Sequence, residues 1–367
     1  RKQGISDGNH ASEGNQQNAL NFESMRFSGQ ILRDRIRRLA PLTPQRLRNA
    51  LALHAGFRRA RRGGPAEQRA LPMSLSIEPT TSCNLRCPEC PSGLRSFTRP
   101  TGMLNPELLG PLLDELRSSL VYVNLYFQGE PTLHKQFEDL VRTCKARRVY
   151  TSTSTNAHYL TPERAERLVA SGLDRLIISI DGTTQEAYAA YRVGGQLQRV
   201  LDGTRNVLEA RRAAGSATPH VVWQFLVVGP NEHQVPEIRQ LARAYGVDEL
   251  DLKTAQLDDP RDGHPLLTEN PAFRRYDRGQ DGRWRLRNPL DNSCWRMWQG
   301  CVITWDGQVV PCCFDKDAHH SMGRVGDRPF QEIWHSAPYA AFRRQLFTAR
   351  ADIPMCQNCS EGTEVYA

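Results

Sequence analysis

Apolar residues between positions 71 and 256 follow two alternating patterns, and each pattern predicts a different element. Five longer segments predict helices, and several of them open with Asn, Thr or Pro, which are common at helix starts. Six short runs are rich in β-branched residues and nearly continuous in apolar ones, as in strands that are covered on both faces. These runs are SLSIEP, VYVNLYF, VYTSTS, RLIISI, HVVWQFLVV and ELDLKTA.

The alternation of strand and helix predicts an α/β core over residues 71–256, with a parallel sheet and the helices outside it. Six strands are fewer than the eight of a closed barrel. A doubly wound open sheet is the alternative, although no G-x-G-x-x-G sequence follows the first strand.

The segments that flank this core have different patterns. Residues 1–70 form a polar, Arg-rich leader, whose first thirty residues are predicted to be disordered because they are rich in Asn, Gln, Ser and Gly. QILRDRIRRLA and PQRLRNALALHAGFRRARR then predict two helices, separated by Pro41 and Pro44. Residues 257–290 are polar and rich in Asp, Arg and Pro, which indicates a linker. Residues 291–367 hold six cysteines and predict a small metal-stapled domain.

The net charge of +8 is concentrated in the leader. Residues 31–70 contain eleven arginines against Asp34 and Glu67, whereas residues 1–30 are neutral. Because the core carries no excess of positive charge, we expect no nucleic-acid groove there. The leader helices have two interpretations. They pack on the body as solvated helices, or residues 31–62 contact an anionic membrane or an acidic partner as basic amphipathic elements.

Two absences bound the location of the protein. No apolar run approaches the ~20 residues that span a bilayer, and the polar first thirty residues lack the apolar centre of a secretory signal. We therefore expect a cytoplasmic protein. In the cytoplasm, ten cysteines indicate metal or redox sites rather than disulfides. Nine of the ten fall within residues 83–90 and 294–359.

The stretch EPTTSCNLRCPECP follows the first predicted strand and spaces Cys83, Cys87 and Cys90 as C-x3-C-x2-C. Three thiolates on one short loop can bind three irons of a 4Fe–4S cluster and leave the fourth iron open to the amine and carboxylate of a substrate. A structural zinc site would instead use four protein ligands. This spacing, placed after the first strand of a six-fold repeat, therefore favours an iron–sulfur cluster.

On these residues the chain resembles the radical SAM superfamily over roughly residues 73–256. The resemblance implies a partial (β/α)6 barrel, TIM-like but incomplete, whose open iron binds S-adenosylmethionine (SAM). One electron from the reduced cluster then cleaves SAM, and the 5′-deoxyadenosyl radical abstracts hydrogen from the substrate. An electron donor such as flavodoxin or ferredoxin is implied as well. Glu89 stands where the family usually has an aromatic residue.

The same resemblance implies SAM contacts at the strand ends. The text QGEP at the end of the second strand resembles the family's GGEP motif, which receives the ammonium of SAM, and glycine suits the close backbone approach. Arg192 resembles an arginine that pairs with the methionine carboxylate. Each of these contacts has an alternative. QGEP could be an ordinary turn, Ser179 a strand-end hydroxyl that bonds to the backbone, and Arg192 a solvated arginine. The expected cofactor-binding residues are Gln128, Gly129, Glu130, Pro131, Asn156, Ser179, Asp181 and Arg192.

The second group of cysteines resembles the SPASM/twitch extension of radical SAM enzymes. Cys294 is followed by twelve residues, Gly307, four residues and Cys312, and the pair Cys356-x2-Cys359 comes later. The resemblance implies one auxiliary 4Fe–4S cluster on these four cysteines. Four-cysteine spacing alone would also suit zinc. Val365 stands where a full SPASM domain has its next cysteine.

Two further residues are candidates for catalysis. Cys313 is either a thiol that donates a hydrogen atom or a packing residue, and Asp315 is a candidate general base. The chain is thus expected to be a radical SAM enzyme that oxidises or crosslinks a peptide, sugar-like or lipid-linked substrate by two electrons. The alternative from another class is a non-catalytic zinc-binding module, which would not cleave SAM.

Overall fold

A computed structural model describes residues 29–359 of the chain. Most of the stretch predicted to be disordered falls in residues 1–28, which lie outside the described residues, as do residues 360–367 with Val365.

The six predicted strands are confirmed and form a parallel sheet in chain order, in which each strand pairs with the next one. Two later strands extend this sheet beyond its first strand, and two more form a separate antiparallel hairpin. The strands are β1 Ser74–Ile77, β2 Tyr122–Asn124, β3 Tyr150–Thr155, β4 Arg175–Ser179, β5 His220–Val227, β6 Glu249–Thr254, β7 Tyr276–Arg278, β8 Trp284–Leu286, β9 Gly300–Ile303 and β10 Val309–Val310.

The helices predicted between the strands are also present, and a short helix after β4 adds to them. The helices are α1 29–39, α2 Pro44–Arg61, α3 Pro91–Leu94, α4 Leu109–Glu115, α5 Phe137–Lys145, α6 Pro162–Ala170, α7 Gln185–Tyr191, α8 Leu197–Ala213, α9 Val235–Tyr245, α10 Trp295–Gln299, α11 Phe330–Trp334 and α12 Ala337–Thr348. No helix within residues 29–359 is long and apolar enough to cross a membrane. The fold is the expected partial α/β barrel with helices outside.

The two faces of the sheet differ in polarity because successive side chains of a strand point to opposite sides. Leu75 and Val123 are buried in the main apolar core. Their neighbours Ser76 and Asn124 instead line a cavity of about 690 Å³. The barrel therefore has an apolar outer layer under the helices and a polar interior.

The sequence predicts a small metal-stapled domain in the C-terminal region. In the structure this region is joined to the sheet of the core. Strand β9 pairs in parallel with β1, with Cys301 opposite Leu75, and β10 pairs antiparallel with β9. A buried ion pair strengthens this junction, since Glu78 accepts bonds of 2.6 and 2.9 Å from Arg99 and a third from the backbone N–H of Trp305. Cysteines far apart in the chain are thus carried by one sheet.

Residues 257–290 are more ordered than the predicted linker. They contain the β7–β8 hairpin, and the Tyr276 hydroxyl bonds to the backbone N–H of Leu257 and to Asn358. Glu89 of the cysteine loop (residues 83–90) accepts the backbone N–H of Asp258 at 2.7 Å. This segment therefore connects the cysteine loop to the C-terminal region.

The second leader helix packs on the body. Leu53 and Ala60 of α2 are buried against Trp298. Arg46 is also buried, and its guanidinium donates to four backbone carbonyls at 2.6–3.1 Å, including those of Arg147 and Arg148. One face of α2 is therefore packed on the body.

The first leader helix, α1, turns its acidic residue inward and its apolar residues outward. Its one acidic residue, Asp34, points inward, where the Tyr150 hydroxyl and Arg175 donate to it at 2.5 and 2.9 Å. The apolar residues Leu32, Ile36 and Leu39 are 58–61% exposed. An apolar stripe therefore faces outward on α1.

Candidate functional site

The cysteine loop follows β1 and is held by backbone hydrogen bonds, one within the loop and one to the segment after α7. The N–H of Cys90 donates to the carbonyl of Cys87, and the N–H of Arg86 donates to that of Val193. Gly93 permits the tight return, because a Cβ there would lie 2.6 Å from the backbone nitrogen of Cys87. The loop thus presents three thiols at the carboxyl ends of the strands.

The chemistry of the three thiols fits the binding of a cationic iron–sulfur core. All are free, and burial raises the pKa of Cys83 to about 12, with the charges of Glu130 and the other two cysteines adding to the effect. Burial also raises the pKa of Cys87, against the opposing charge of Arg192. Thiolates in such surroundings need metal to replace the proton. A 4Fe–4S cluster bound by Cys83, Cys87 and Cys90 would supply it.

The predicted QGEP motif lies directly against this loop. The backbone N–H groups of Gly129 and Glu130 donate to Ser92 Oγ and to the carbonyl of Ser82, both at 2.8 Å. Gly129 has a φ of +72°, and a Cβ there would lie 2.2 Å from the carbonyl oxygen of Thr80. Gln128 Oε1 is 3.9 Å from Cys90 Sγ. Only glycine at position 129 permits the close approach to the backbone of Thr80.

The side chain of Glu130 organises the neighbouring strand ends. Its carboxylate accepts the Thr155 hydroxyl and the backbone N–H of Asn156, both at 2.7 Å. The amide of Asn156 in turn donates to Asn84 Oδ1, inside the cysteine loop, at 2.8 Å. Pro131 follows as the first residue of a short 3-10 helix that Glu130 caps. The ends of β2 and β3 are thus joined to the loop.

Two of the predicted SAM contacts meet each other. Arg192 donates through Nε to Asp181 at 2.5 Å, and its Nη1 lies 3.9 Å from Cys87 Sγ. The other oxygen of Asp181 accepts the backbone N–H of Leu226. Ser179 is buried at the end of β4, beside Gln224 of β5. The guanidinium of Arg192 therefore stands beside the cysteine loop rather than in solvent.

The four cysteines predicted for the auxiliary cluster also converge. Cys294 interacts electrostatically with Cys312 and with Cys356, and the backbone N–H of Cys359 donates to the carbonyl of Cys356. All four are buried. We refer to Cys294, Cys312, Cys356 and Cys359 as the auxiliary site.

A buried arginine, Arg350, lies among the thiols of the auxiliary site. It is 1% exposed, and its Nη2 is 3.7 Å from Cys359 Sγ. Its Nη1 donates to the carbonyls of Ser293 and Asp291, at 2.6 and 3.1 Å. Cys294 and Cys356 also interact with this guanidinium, although burial is the largest influence on its pKa. A cation held beside several thiolates fits an anionic cluster.

A mononuclear zinc site would require the thiols to be tightly grouped. With zinc–sulfur bonds of about 2.3 Å, tetrahedral geometry puts the sulfurs about 3.8 Å apart. Among residues 29–359 no group of three or more His, Cys, Asp or Glu side chains is placed to hold a metal ion. Sulfurs that bind the corners of a 4Fe–4S cluster lie farther apart, so such a cluster does not require this tight grouping.

The two candidate catalytic residues occupy different surroundings. Cys313 lines the polar barrel cavity, 3.5 Å from Arg296 Nη1. Asp315 is 3% exposed, and its two oxygens accept the backbone N–H groups of His319 and His320, both at 2.8 Å. The carboxylate thus caps a turn, a role that the sequence did not suggest.

A larger cleft of about 1270 Å³ opens between the cysteine loop and the auxiliary site. Glu89 lines it on one side, Asp315 and Met355 on another, and Trp284 of the hairpin on a third. Its walls carry charges of both signs.

Several residues that build the site were missed from the sequence. Asn84 and Ser92 lie within or beside the cysteine motif, so their positions were a signal that could have been used. Glu78, Arg99 and Arg350 had no such signal, because a charged side chain gives no indication of burial until the fold is known.

Comparison with known proteins agrees with this geometry. The model of the Radical SAM superfamily matches residues 77–242, and that of the iron–sulfur cluster-binding SPASM domain matches residues 294–360. The tungsten-containing aldehyde ferredoxin oxidoreductase cofactor-modifying protein of Pyrococcus furiosus is 27% identical over 319 residues, which are 78% of this chain and 86% of that protein.

Mycofactocin maturase MftC of Mycobacterium tuberculosis is 30% identical over 312 residues, which cover 78% of this chain and 75% of the relative. The crystal structure of BtrN in complex with AdoMet and 2-DOIA superposes with a TM-score of 0.51 and 22% identity, over 82% of this chain and 97% of that chain, and thus shares the fold. The chain is therefore a radical SAM enzyme with a C-terminal SPASM domain, and it belongs to the Radical SAM superfamily.

Proposed function

We propose that this enzyme reductively cleaves SAM and removes a hydrogen atom from a substrate C–H bond, as the first half of a two-electron oxidation or crosslink. The observation that carries the proposal is the presence of two separate groups of partly or fully buried thiols, one at the end of β1 and one in the C-terminal region that pairs with β1. When bound, the cluster at the cysteine loop supplies the electron that cleaves SAM, and the auxiliary cluster accepts the electron that the substrate loses.

The residues around the cysteine loop hold SAM in this proposal. Gly129 and Glu130 present backbone oxygens to its ammonium. Arg192 attracts its carboxylate, while Asp181 keeps the guanidinium in place through the 2.5 Å bond. Ser179 and Asn156 complete the site at the ends of β4 and β3. A flavodoxin or ferredoxin delivers the electron.

The size of the open cleft supports a peptide as the substrate. Its volume of about 1270 Å³ exceeds the roughly 300–1,000 Å³ of pockets that enclose small molecules. A further relative is named PqqA peptide cyclase, which agrees with a peptide as the substrate. A sugar-like or lipid-linked substrate is the second candidate, which the mixed charges of the cleft would also accommodate.

Two residues are proposed to handle hydrogen and protons. Cys313 is the candidate hydrogen-atom donor within the barrel cavity that it lines: its S–H bond breaks, a C–H bond forms on a substrate radical that has not lost its electron, and a thiyl radical remains. Asp315 accepts the proton that the oxidised substrate loses, through the lone pairs that its two backbone bonds leave available.

Anaerobic reconstitution with iron and sulfide tests the proposal. We expect 5′-deoxyadenosine from SAM with a reductant, and none after Cys83→Ala. Cys144→Ala is the matched control, because Cys144 is buried in α5, within the apolar core, and should leave the product yield unchanged. A protein that binds zinc and yields no 5′-deoxyadenosine would overturn the proposal.

We also propose that the enzyme is cytoplasmic and touches an anionic membrane through residues 31–62. Eight large apolar side chains are exposed in the described part of the chain, and five of them lie on α1 and α2. Exposed arginines interleave with them, including Arg33, Arg35 and Arg48. Asp34 is turned inward, so the outward surface is basic as well as apolar.

Vesicle flotation with the full chain tests this contact. Each basic residue near an anionic surface contributes about 1 kcal/mol, so binding should require phosphatidylglycerol and weaken with salt. Ile36→Ser should reduce it several-fold, whereas Leu94→Ser, at a leucine of similar exposure elsewhere, should not. Equal binding to phosphatidylcholine vesicles, or an Ile36→Ser variant that binds normally, would refute the contact. Concentration-dependent dimerisation that Ile36→Ser abolishes would assign the stripe to a second copy of this chain.

A further inference from the structure

The two cysteine groups have different charged neighbours. Beside the cysteine loop, the cation Arg192 is matched by the carboxylate of Asp181, and the carboxylate of Glu130 also interacts with Cys83. At the auxiliary site the buried neighbour is Arg350, whose guanidinium faces Cys359 and interacts with Cys294 and Cys356.

Contacts of Arg350 hold its charge in place. Its backbone N–H donates to Asn292 Oδ1 at 3.0 Å, and Nη1 donates to the carbonyls of Asp291 and Ser293. These residues directly precede Cys294, so one side chain connects the first auxiliary cysteine to the last. At 1% exposure, water does not screen the charge.

We propose that Arg350 raises the reduction potential of the auxiliary cluster. Reduction adds one negative charge to a cluster, and a fixed cation with N–H groups aimed at its sulfurs stabilises the reduced form. Hydrogen bonds to sulfur, local charge and burial are the means by which proteins tune such clusters. Arg350 provides all three.

This role of Arg350 complements the proposed function, on which it rests. An auxiliary cluster that receives the substrate's electron must be easier to reduce than the oxidised product, so a cation that raises the cluster's potential favours the transfer. The paired charges of Arg192 and Asp181 beside the cysteine loop stabilise an added electron less than the guanidinium of Arg350 does. Arg350 is thus a positioning residue, since it acts through the cluster and not on the substrate.

Redox titration of the reconstituted full chain, followed by EPR, tests the inference. Arg350→Gln should lower the midpoint potential of the auxiliary cluster so that the equilibrium constant for its reduction falls at least tenfold, which is about 59 mV for one electron. The SAM-binding cluster in the same sample is the internal control and should not shift. Arg350→Lys, which keeps the charge, should recover most of the loss. An unchanged auxiliary potential in Arg350→Gln, or an equal shift of both clusters, would overturn the inference.

A second measurement uses the protein without substitutions, so its outcome does not depend on whether the Arg350 variants fold. With 15N in arginine guanidinium groups only, pulsed EPR of the reduced auxiliary cluster should show a 15N coupling. If the cluster forms and no coupling is seen, the inference fails while the proposed function stands. If no second cluster forms at all, the proposed function fails first.

Discussion

The two cysteine sites differ in how the chain brings their parts together. Cys83, Cys87 and Cys90 lie within eight residues of the chain, on one short loop. The auxiliary site draws on residues from 294 to 359, and it depends on strand β9 pairing with β1. One site is thus local and the other is assembled by the fold. The difference indicates which of them should survive the loss of its cluster.

Loss of either cluster should have the largest effect on stability of all the changes considered. It also tests whether one site is local and the other is assembled by the fold. By the loop-entropy relation for crosslinks, closing the eight-residue loop stabilises by about 2.5 kcal/mol, and closing the auxiliary segment by about 4 kcal/mol. Cys90→Ala and Cys359→Ala should each remove about four irons. Only Cys359→Ala should also expose the C-terminal segment.

Iron analysis together with hydrogen–deuterium exchange measures both effects. We expect faster exchange over residues 291–359 in Cys359→Ala, and little change beyond the loop in Cys90→Ala. Cys144→Ala, which touches neither site, is the control for handling. Equal exchange profiles in the two cluster variants would contradict the division into a local and an assembled site.

The sequence predicted the local site far better than the assembled one. The cysteine spacing, the six strands and the QGEP turn depend on neighbouring residues, so they could be identified directly. The pairing of β9 with β1 depends on strands more than two hundred residues apart, and no local pattern encodes it. The sequence also left open whether the apolar face of α1 packs on the body or points outward, because periodicity shows that a face exists and not what covers it.

The buried ion pair between Glu78 and Arg99 couples the two sites and should give the next largest effect. Glu78 follows β1, Arg99 follows the cysteine loop, and both also contact the C-terminal region, at Trp305 and Lys316. Glu78→Gln would leave the buried guanidinium uncompensated, at a cost of about 3–5 kcal/mol. Anaerobic urea denaturation of the loaded protein measures the loss.

An exposed ion pair provides the control for Glu78. Asp202 and Arg205 lie one turn apart on α8, and both are about half exposed. Asp202→Asn should change the free energy of unfolding by about 0.5 kcal/mol or less. If Glu78→Gln were as mild as this control, the two sites would be joined by the strand pairing alone.

The smallest predicted effect concerns the bond between Asn156 and Asn84, which connects a strand end to the local site. Its loss removes one partly buried hydrogen bond, worth about 1 kcal/mol, or roughly a fivefold increase in the Kd for SAM. Asn156→Ala should show this in calorimetric titration of the reconstituted enzyme. Asn206→Ala loses a similar bond, to the carbonyl of Leu160, and should leave SAM binding unchanged.

A double-mutant cycle separates positioning from direct contact. If Asn156 acts by fixing the cysteine loop, Asn84→Ala alone should weaken SAM binding as much as Asn156→Ala does, and the double variant should be no weaker than either. If Asn156 touches SAM itself, the Asn156→Ala variant should be the weaker of the two, and the double variant should add the losses, because independent contributions are additive. Non-additivity would show that even the local site depends on a strand end some seventy residues away, and additivity would show that the loop positions its own thiols.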